Sequence, residues 1–475
     1  MVLVSVNKTE FDYDILSLFK AFFNGEEVKV VSDGTLQDKD FYIELTDNQF
    51  SVFDKDNNLI KKCLVTSGER IDRKNALKRL MYQALKTVTG KELAWGDLTG
   101  IRPTKIPREM LENGKSAEDI LSYMKETYLI SDEKGRLSID IAKREIDILK
   151  PLHKKGYSIY IGIPFCPTTC LYCSFTSNPI AKWRNRVDEY LQALEKEIVF
   201  TGRHRKGQVI DTIYIGGGTP TTLSASELDR LLTCIDDNLD CSKLLEYTVE
   251  AGRADSITID KLKVLKAHGV TRISVNPQTM NQKTLDLIGR RHTVSDVKRA
   301  FYDAREVGFD NINMDIILGL PEEGIIEVTT TIDEIVKLNP DSLTVHSLAI
   351  KRASRLSEWI CENGYATMIN TAETMKIAEE GAKTLSMKPY YLYRQKNMAG
   401  NFENTGYAKE GCFGIYNILI MEELESIVAM GPGSVSKVLT PDGRLVRDDN
   451  VKDVSLYIEK IDEMLKRKET LFALE

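Results

Sequence analysis

No window of the chain holds the roughly 18 consecutive apolar residues that a membrane-spanning helix needs. The opening stretch, MVLVSVNKTEFDYDILSLF, meets lysine and acidic side chains before any long apolar core, so no secretory signal is expected. Nor is there an excess of base. Lys and Arg number 64 against 71 Asp and Glu, a net charge of −7, whereas a broad nucleic-acid face would need clustered cations. A GxxxxGK[ST] phosphate loop is also missing, so Gly100, Arg102 and Lys105 in WGDLTGIRPTKIPREMLENG read as a turn leading into a helix. What is left is a cytoplasmic, soluble chain of 475 residues, long enough for two or three domains.

Cysteine is scarce except in one place. Cys63, Cys234, Cys241, Cys361 and Cys412 are scattered, and in a reducing compartment they read as small buried apolar residues. Cys166, Cys170 and Cys173 instead crowd into YIGIPFCPTTCLYC, directly after a strand-like run. A closed structural zinc site would want a fourth Cys or His nearby. His153 lies before the strand and the next histidine is His204, so no fourth ligand is at hand. A [4Fe–4S] cluster held by three thiolates keeps one iron open to a substrate or cofactor, and the spacing favours that reading.

Residues 1–155 read as an N-terminal α+β domain. FYIELTDNQFSVFDKDNNLIKKCLV alternates apolar and polar residues around two turn signals, which predicts short antiparallel strands. RKNALKRLMYQALKTVTG has helical spacing and a Gly to end it. From 156 to 380 strands alternate with amphipathic helices. Strands are expected at SIYIGI, TIYIG, EYTVEA, TRISV, NINMDII and SLTVH, with helices such as VDEYLQALEKEIVF, ASELDRLLTCIDDNL and VSDVKRAFYDAREVG between them. Six βα units in a row imply a parallel sheet. Each strand delivers a polar, glycine-rich or thiol feature at its C-terminal end, where α/β barrels build their sites. Residues 381–475, rich in aromatics, Gly and Asn at first, read as a C-terminal domain covering the substrate.

CxxxCxxC after the first strand of a βα series resembles the radical S-adenosylmethionine (radical SAM) superfamily. That resemblance implies an α/β fold built on a partial (β/α)6 TIM-like barrel. It also implies two cofactors, a [4Fe–4S] cluster and S-adenosyl-L-methionine. The open iron would chelate the methionine end of the cofactor, and one electron would cleave it to a radical that abstracts hydrogen from the substrate. YIGIPFC, YIGGGTPTTL, VNPQTMNQKTLDLIGRRHT and NMDIILGLPEE are similar to the oxygen-independent coproporphyrinogen III oxidases and their HemN and HemW relatives. With the N-terminal region and HSLAIKRASRL, the likeness is to the HemZ-type coproporphyrinogen dehydrogenase branch.

The resemblance implies roles residue by residue. Cys166, Cys170 and Cys173 would ligate the cluster. Tyr172 would pack on adenine, and the backbone of Gly216, Gly217 and Gly218 would meet the methionine amino group, where the lack of a Cβ permits close approach. Glu250 would lie near that same end, Gln278 and Asp315 at the ribose, and Arg290 at the methionine carboxylate. Ala349 would meet adenine through its backbone, and Tyr160 would stand close to the cofactor.

Two departures bear on the substrate. The established oxidases continue as CxxxCxxCxC, whereas Phe175 stands at that further cysteine. The heme-chaperone relatives carry HNxxYW near the C-terminus, and this chain has GCFGIYN. The resemblance implies oxidative decarboxylation of coproporphyrinogen III propionates to vinyls, giving protoporphyrinogen IX in anaerobic heme biosynthesis. Arg and Lys of IKRASR and YLYRQK would pair with propionates. The alternatives are heme binding of the chaperone type, or another radical reaction on a tetrapyrrole, such as methyl transfer or ring opening. The expected partners are a tetrapyrrole and a one-electron donor such as flavodoxin or ferredoxin, with no nucleic acid and no membrane span.

Overall fold

The alternation in FYIELTDNQFSVFDKDNNLIKKCLV becomes three antiparallel strands in the computed structural model, which describes residues 1–23, 25–32, 38–174, 177–351, 354–364, 368–395, 398 and 402–475. They are β3 (Phe41–Leu45), β4 (Gln49–Asp54) and β5 (Leu59–Leu64), joined to β1 (Val2–Val6) and β2 (Val28–Val31) in the order β2-β1-β3-β4-β5. The DKDNN turn forms because Asp54 Oδ1 accepts from the backbone N–H groups of Asp56 and Asn58, at 2.9 and 2.8 Å. Sequence reading missed the parallel pairing of β1 with both β2 and β3. The helix Arg70–Thr89 ends at Gly90, whose φ of 68° supplies the left-handed cap. It packs Leu77, Met81 and Leu85 on a core with Val4, Phe19, Ile43 and Phe50. Lys105 opens the helix Lys105–Glu112, as expected, and pairs with Glu109 at 3.5 Å.

The chain divides into two compact units, Met1–Arg144 with Leu392–Asn404, and Glu145–Tyr391 with Thr405–Glu475. In the first unit Glu403 is buried and accepts from Trp95 Nε1 at 2.8 Å and Lys134 Nζ at 2.6 Å.

The second unit carries the six expected strands. β6 (Tyr157–Ile163) is followed by a short pair inside the cysteine loop, β7 (Phe165–Cys166) and β8 (Asn178–Pro179). Then come β9 (Ile210–Gly217), β10 (Glu246–Gly252), β11 (Arg272–Val275), β12 (Ile312–Leu318) and β13 (Ser342–Ser347). These lie side by side as β13-β12-β11-β10-β9-β6, all parallel. Two of the crossover helices start at side-chain caps. Ser224 and Glu227 form a reciprocal box ahead of Ala225–Asn238, and Thr293 and Asp296 do the same ahead of Val294–Glu306.

The strands after residue 380 extend the same sheet. β14 (Lys388–Tyr393) and β15 (Asn404–Ala408) lie beyond β13, with β15 antiparallel to it. β16 (Ser426–Met430) runs parallel to β6 and leads to the antiparallel β17 (Val435–Leu439) and β18 (Leu445–Asp449). These strands add to both edges of the six-stranded parallel array. The physical reason is that both edges of the open parallel sheet carry unpaired backbone groups, which these strands cover. The scattered cysteines also depart from expectation: Cys63, Cys234, Cys241 and Cys412 are half-buried and Cys361 is exposed.

Candidate active site

The cysteine loop is fastened on both sides. On one side the backbone N–H groups of Gly218 and Thr219 donate to Ile163 O and Phe165 O, both at 2.7 Å. A Cβ on Gly218 would sit 2.5 Å from Phe165 O and 3.0 Å from Cys166 Sγ, so only glycine fits. Thr219 Oγ1 donates to Cys166 Sγ at 3.6 Å. On the other side Leu171 N–H donates to Ile288 O at 3.0 Å, and Thr168 Oγ1 to Gly289 O at 2.9 Å. Arg355 Nη2 donates to Thr169 O at 2.6 Å. Burial pushes the Cys166 thiol up to about 11, so a nearby cation is needed to make it a thiolate. Among the described residues no three His, Cys, Asp or Glu side chains converge as ligands of a single ion. A cubane binds each thiolate through a different iron, so its thiols need not meet at one point, and an all-thiol donor set suits iron–sulfur chemistry.

A second group lies on β6, β9 and β10. Tyr160 and Tyr214 are register partners on β6 and β9, with rings stacked 6.3 Å apart. Tyr416 stacks on Tyr214 at 4.5 Å. It is the second residue of the helix Ile415–Glu422, whose first N–H groups are held by the buried carboxylate of Glu246. Tyr214 donates its hydroxyl hydrogen to Glu250 Oε1. A Cβ on Gly216 would meet Tyr214 Cε1 at 2.9 Å and Glu250 Oε1 at 3.3 Å, so the missing side chain leaves a cradle beside that carboxylate. Desolvation pushes Glu250 up to about 7, against the hydrogen bond from Tyr214 and helped by the charge of Asp315.

The third group surrounds a buried guanidinium. Arg290 donates from Nη1 to Asn276 O at 2.6 Å and from Nη2 to Tyr172 Oη at 3.3 Å, while its buried Nε has no partner. A buried, unspent donor of this kind suits an anionic ligand group. Gln278 takes the left-handed region, φ 68°, a strained place for a residue with a side chain. It is held there by backbone bonds, Gln278 N–H to Asp315 O and Ile317 N–H to Gln278 O, both 2.9 Å. Asp315 accepts from Asn313 Nδ2 at 2.7 Å and faces His346 Nε2 at 3.8 Å. Burial would raise its carboxyl, but these partners outweigh burial and hold it below the ordinary value. Ala349 lies half-buried, two residues beyond β13.

The structure thus groups Tyr160 with Gly216 and Glu250, Cys166 with Gly218, Tyr172 with Arg290, and Gln278 with Asp315. A carboxylate, Glu250, and a guanidinium, Arg290, thus belong to different groups. Phe175 lies outside the described residues, as do positions 352 and 396 of the two basic segments. Arg394 of YLYRQK is buried, donates to Leu98 O and lies over the Trp95 ring at 5.5 Å, which removes it from propionate binding. Sequence reading missed Tyr214, Tyr416, Asn276 and Arg253. Tyr214 had a signal, because it precedes Gly216 by two residues on a strand and so shares its face.

The chain is similar to several known proteins. The Radical SAM superfamily model matches residues 160–335. The oxygen-independent coproporphyrinogen-III oxidase-like protein HemZ of Bacillus subtilis is 41% identical over 409 residues, covering 84% of this chain and 82% of that protein. The heme chaperone HemW of the same organism is 40% identical over 195 residues, 41% of this chain and 51% of the chaperone. The structure of coproporphyrinogen III oxidase (HemN) from Escherichia coli, described as a radical SAM enzyme, superposes with a TM-score of 0.53 at 23% identity. That superposition covers 68% of this chain and 73% of that one, and shows a shared radical SAM fold. The chain therefore belongs to the oxygen-independent coproporphyrinogen III oxidase-like family of radical SAM enzymes, which work with a [4Fe–4S] cluster and S-adenosylmethionine.

Proposed function

We propose that this chain oxidatively decarboxylates two propionate side chains of coproporphyrinogen III to vinyls, giving protoporphyrinogen IX. The observation that carries the reading is the extent of the likeness to HemZ. It spans 409 residues at 41% identity, whereas the likeness to heme chaperones spans 195 residues at 40% or 290 at 29%. When bound, the reduced cluster and S-adenosylmethionine supply hydrogen-atom abstraction. In each half-reaction the propionate loses one hydrogen atom β to its carboxylate. The carbon–carbon double bond forms as CO2 leaves, and one electron passes to an external acceptor.

In this reading Cys166, Cys170 and Cys173 hold the cluster. Glu250 and the backbone of Gly216 to Gly218 bind the methionine ammonium, and Arg290 binds its carboxylate. A carboxylate and a guanidinium match the two charged ends of a zwitterion. Gln278 and Asp315 bind the ribose, while Tyr160, Tyr172 and Ala349 confine the nucleoside. Residues 1–155 form an N-terminal domain, 156–380 the radical barrel, and 381–475 the part that covers the tetrapyrrole. A flavodoxin or ferredoxin reduces the cluster, and the enzyme works in the cytoplasm.

The test is anaerobic turnover of coproporphyrinogen III by reconstituted protein with a reductant, followed by mass spectrometry. Loss of two CO2 with two vinyl groups is expected. Cleavage of S-adenosylmethionine without CO2 or vinyl product would overturn the proposal. A heme-loaded species after incubation with hemin would favour the chaperone reading. Transfer of a labelled methyl group, or ring opening, would favour a different radical reaction.

A further inference from the structure

Arg253 lies three residues after Glu250, in EAGRADS, and takes no part in the roles above. It is 3% exposed and spends its donors in two directions. From Nη1 it donates to Thr168 O at 3.0 Å, to Thr168 Oγ1 at 2.8 Å and toward Cys170 Sγ at 3.7 Å. From Nε and Nη2 it donates to Asp255 Oδ1 and Oδ2, at 3.0 and 2.7 Å. The far side of Asp255 meets the buried ring of His292, Nδ1 to Oδ1 at 3.6 Å. The guanidinium is thus locked in orientation by the paired Asp255 fork, with its Nη1 shared between Thr168 and the middle thiol of the cysteine loop.

We infer that Arg253 is a positioning residue that sets the reduction potential of the cluster through Cys170. A donor to a ligating sulfur stabilises the form with more negative charge, which is the reduced cluster. Asp255 balances the guanidinium charge, so the effect comes from the directed N–H group and from the fixed place of Thr168 and Cys170. The inference rests on the reading of the three thiols as cluster ligands and is independent of the substrate.

The test is a potentiometric titration of the full, anaerobically reconstituted chain, read by electron paramagnetic resonance, with Arg253→Gln, Arg253→Lys and Cys170→Ala beside the parent. Arg253→Gln is expected to disfavour reduction by about tenfold, a fall of about 59 mV for a one-electron couple. Arg253→Lys keeps the charge without the fork and is expected to fall between the two. An unchanged potential in both cluster-loaded Arg253 variants would overturn the inference. So would failure of both variants to assemble a cluster, because Arg253 would then only scaffold the loop. Parent-like iron in Cys170→Ala would instead overturn the thiol assignment on which the inference stands.

Discussion

Tyr214 donates its hydroxyl hydrogen to Glu250, joining neighbouring strands at the point where Gly216 leaves room for a ligand. The hydrogen bond orients a carboxylate that desolvation holds at about 7, so its charge turns on within the physiological range.

S-adenosylmethionine binding should therefore strengthen with pH. An ammonium group prefers the ionised carboxylate, so affinity should rise by up to about tenfold per pH unit below 7 and level off above it. Equilibrium dialysis with the reconstituted protein would read this. Glu250→Gln should weaken binding by roughly tenfold or more and abolish the pH dependence. Without ligand the sign reverses for stability. A carboxyl raised from 4.5 to about 7 contributes stability below 4.5 that is lost as pH rises through 7.

Gly218→Ala should damage the cysteine loop. The new methyl would meet a backbone oxygen, Phe165 O, at 2.5 Å, so the strand end or the Cys166 thiol must move. Iron content after reconstitution should fall well below that of the parent. Far-ultraviolet circular dichroism should stay unchanged, because the clash is local.

Glu197→Ala should destabilise the second unit. Glu197 is fully buried and accepts from Gly431 N–H at 2.8 Å, Asn450 Nδ2 at 2.7 Å and Tyr457 Oη at 2.5 Å. It also pairs with the buried Lys468 at 2.9 Å. Removing it strands an ammonium in the interior, a loss of about 3–5 kcal/mol in chemical denaturation.

Asp97 should give the N-terminal unit a pH-dependent stability. Its carboxyl is fully buried, neither oxygen has a hydrogen-bond partner, and burial pushes it up to about 6 against the charges of Lys78 and Arg79. Stability present below its ordinary value of 3.8 should be lost as pH rises through 6, on the order of 3 kcal/mol in total. Asp97→Asn should flatten that decline in denaturation curves taken between pH 4 and 7.

The parallel strands were legible because each carries its pattern locally. SIYIGI and NINMDII are short apolar runs bounded by helical segments, and they became β6 and β12 nearly residue for residue. The pairing of β1 with β2 and β3 was not legible, because FDYDILSLFKAF reads as a helix without showing that the strand after it returns parallel. The placing of Leu392–Asn404 with the first unit was also hidden, since it depends on where Trp95 and Lys134 lie.

By itself the sequence determined the βα alternation, the three thiols at one strand end and the glycines beside them, because spacing along a chain governs which groups one loop can gather. Tertiary structure alone decided that Tyr416 stacks on Tyr214, that Arg253 reaches Cys170, and that Arg394 is buried against Trp95 and Leu98. Those relations join residues far apart in the chain. They follow from strand register and buried pairing, for which no local pattern carries a signal.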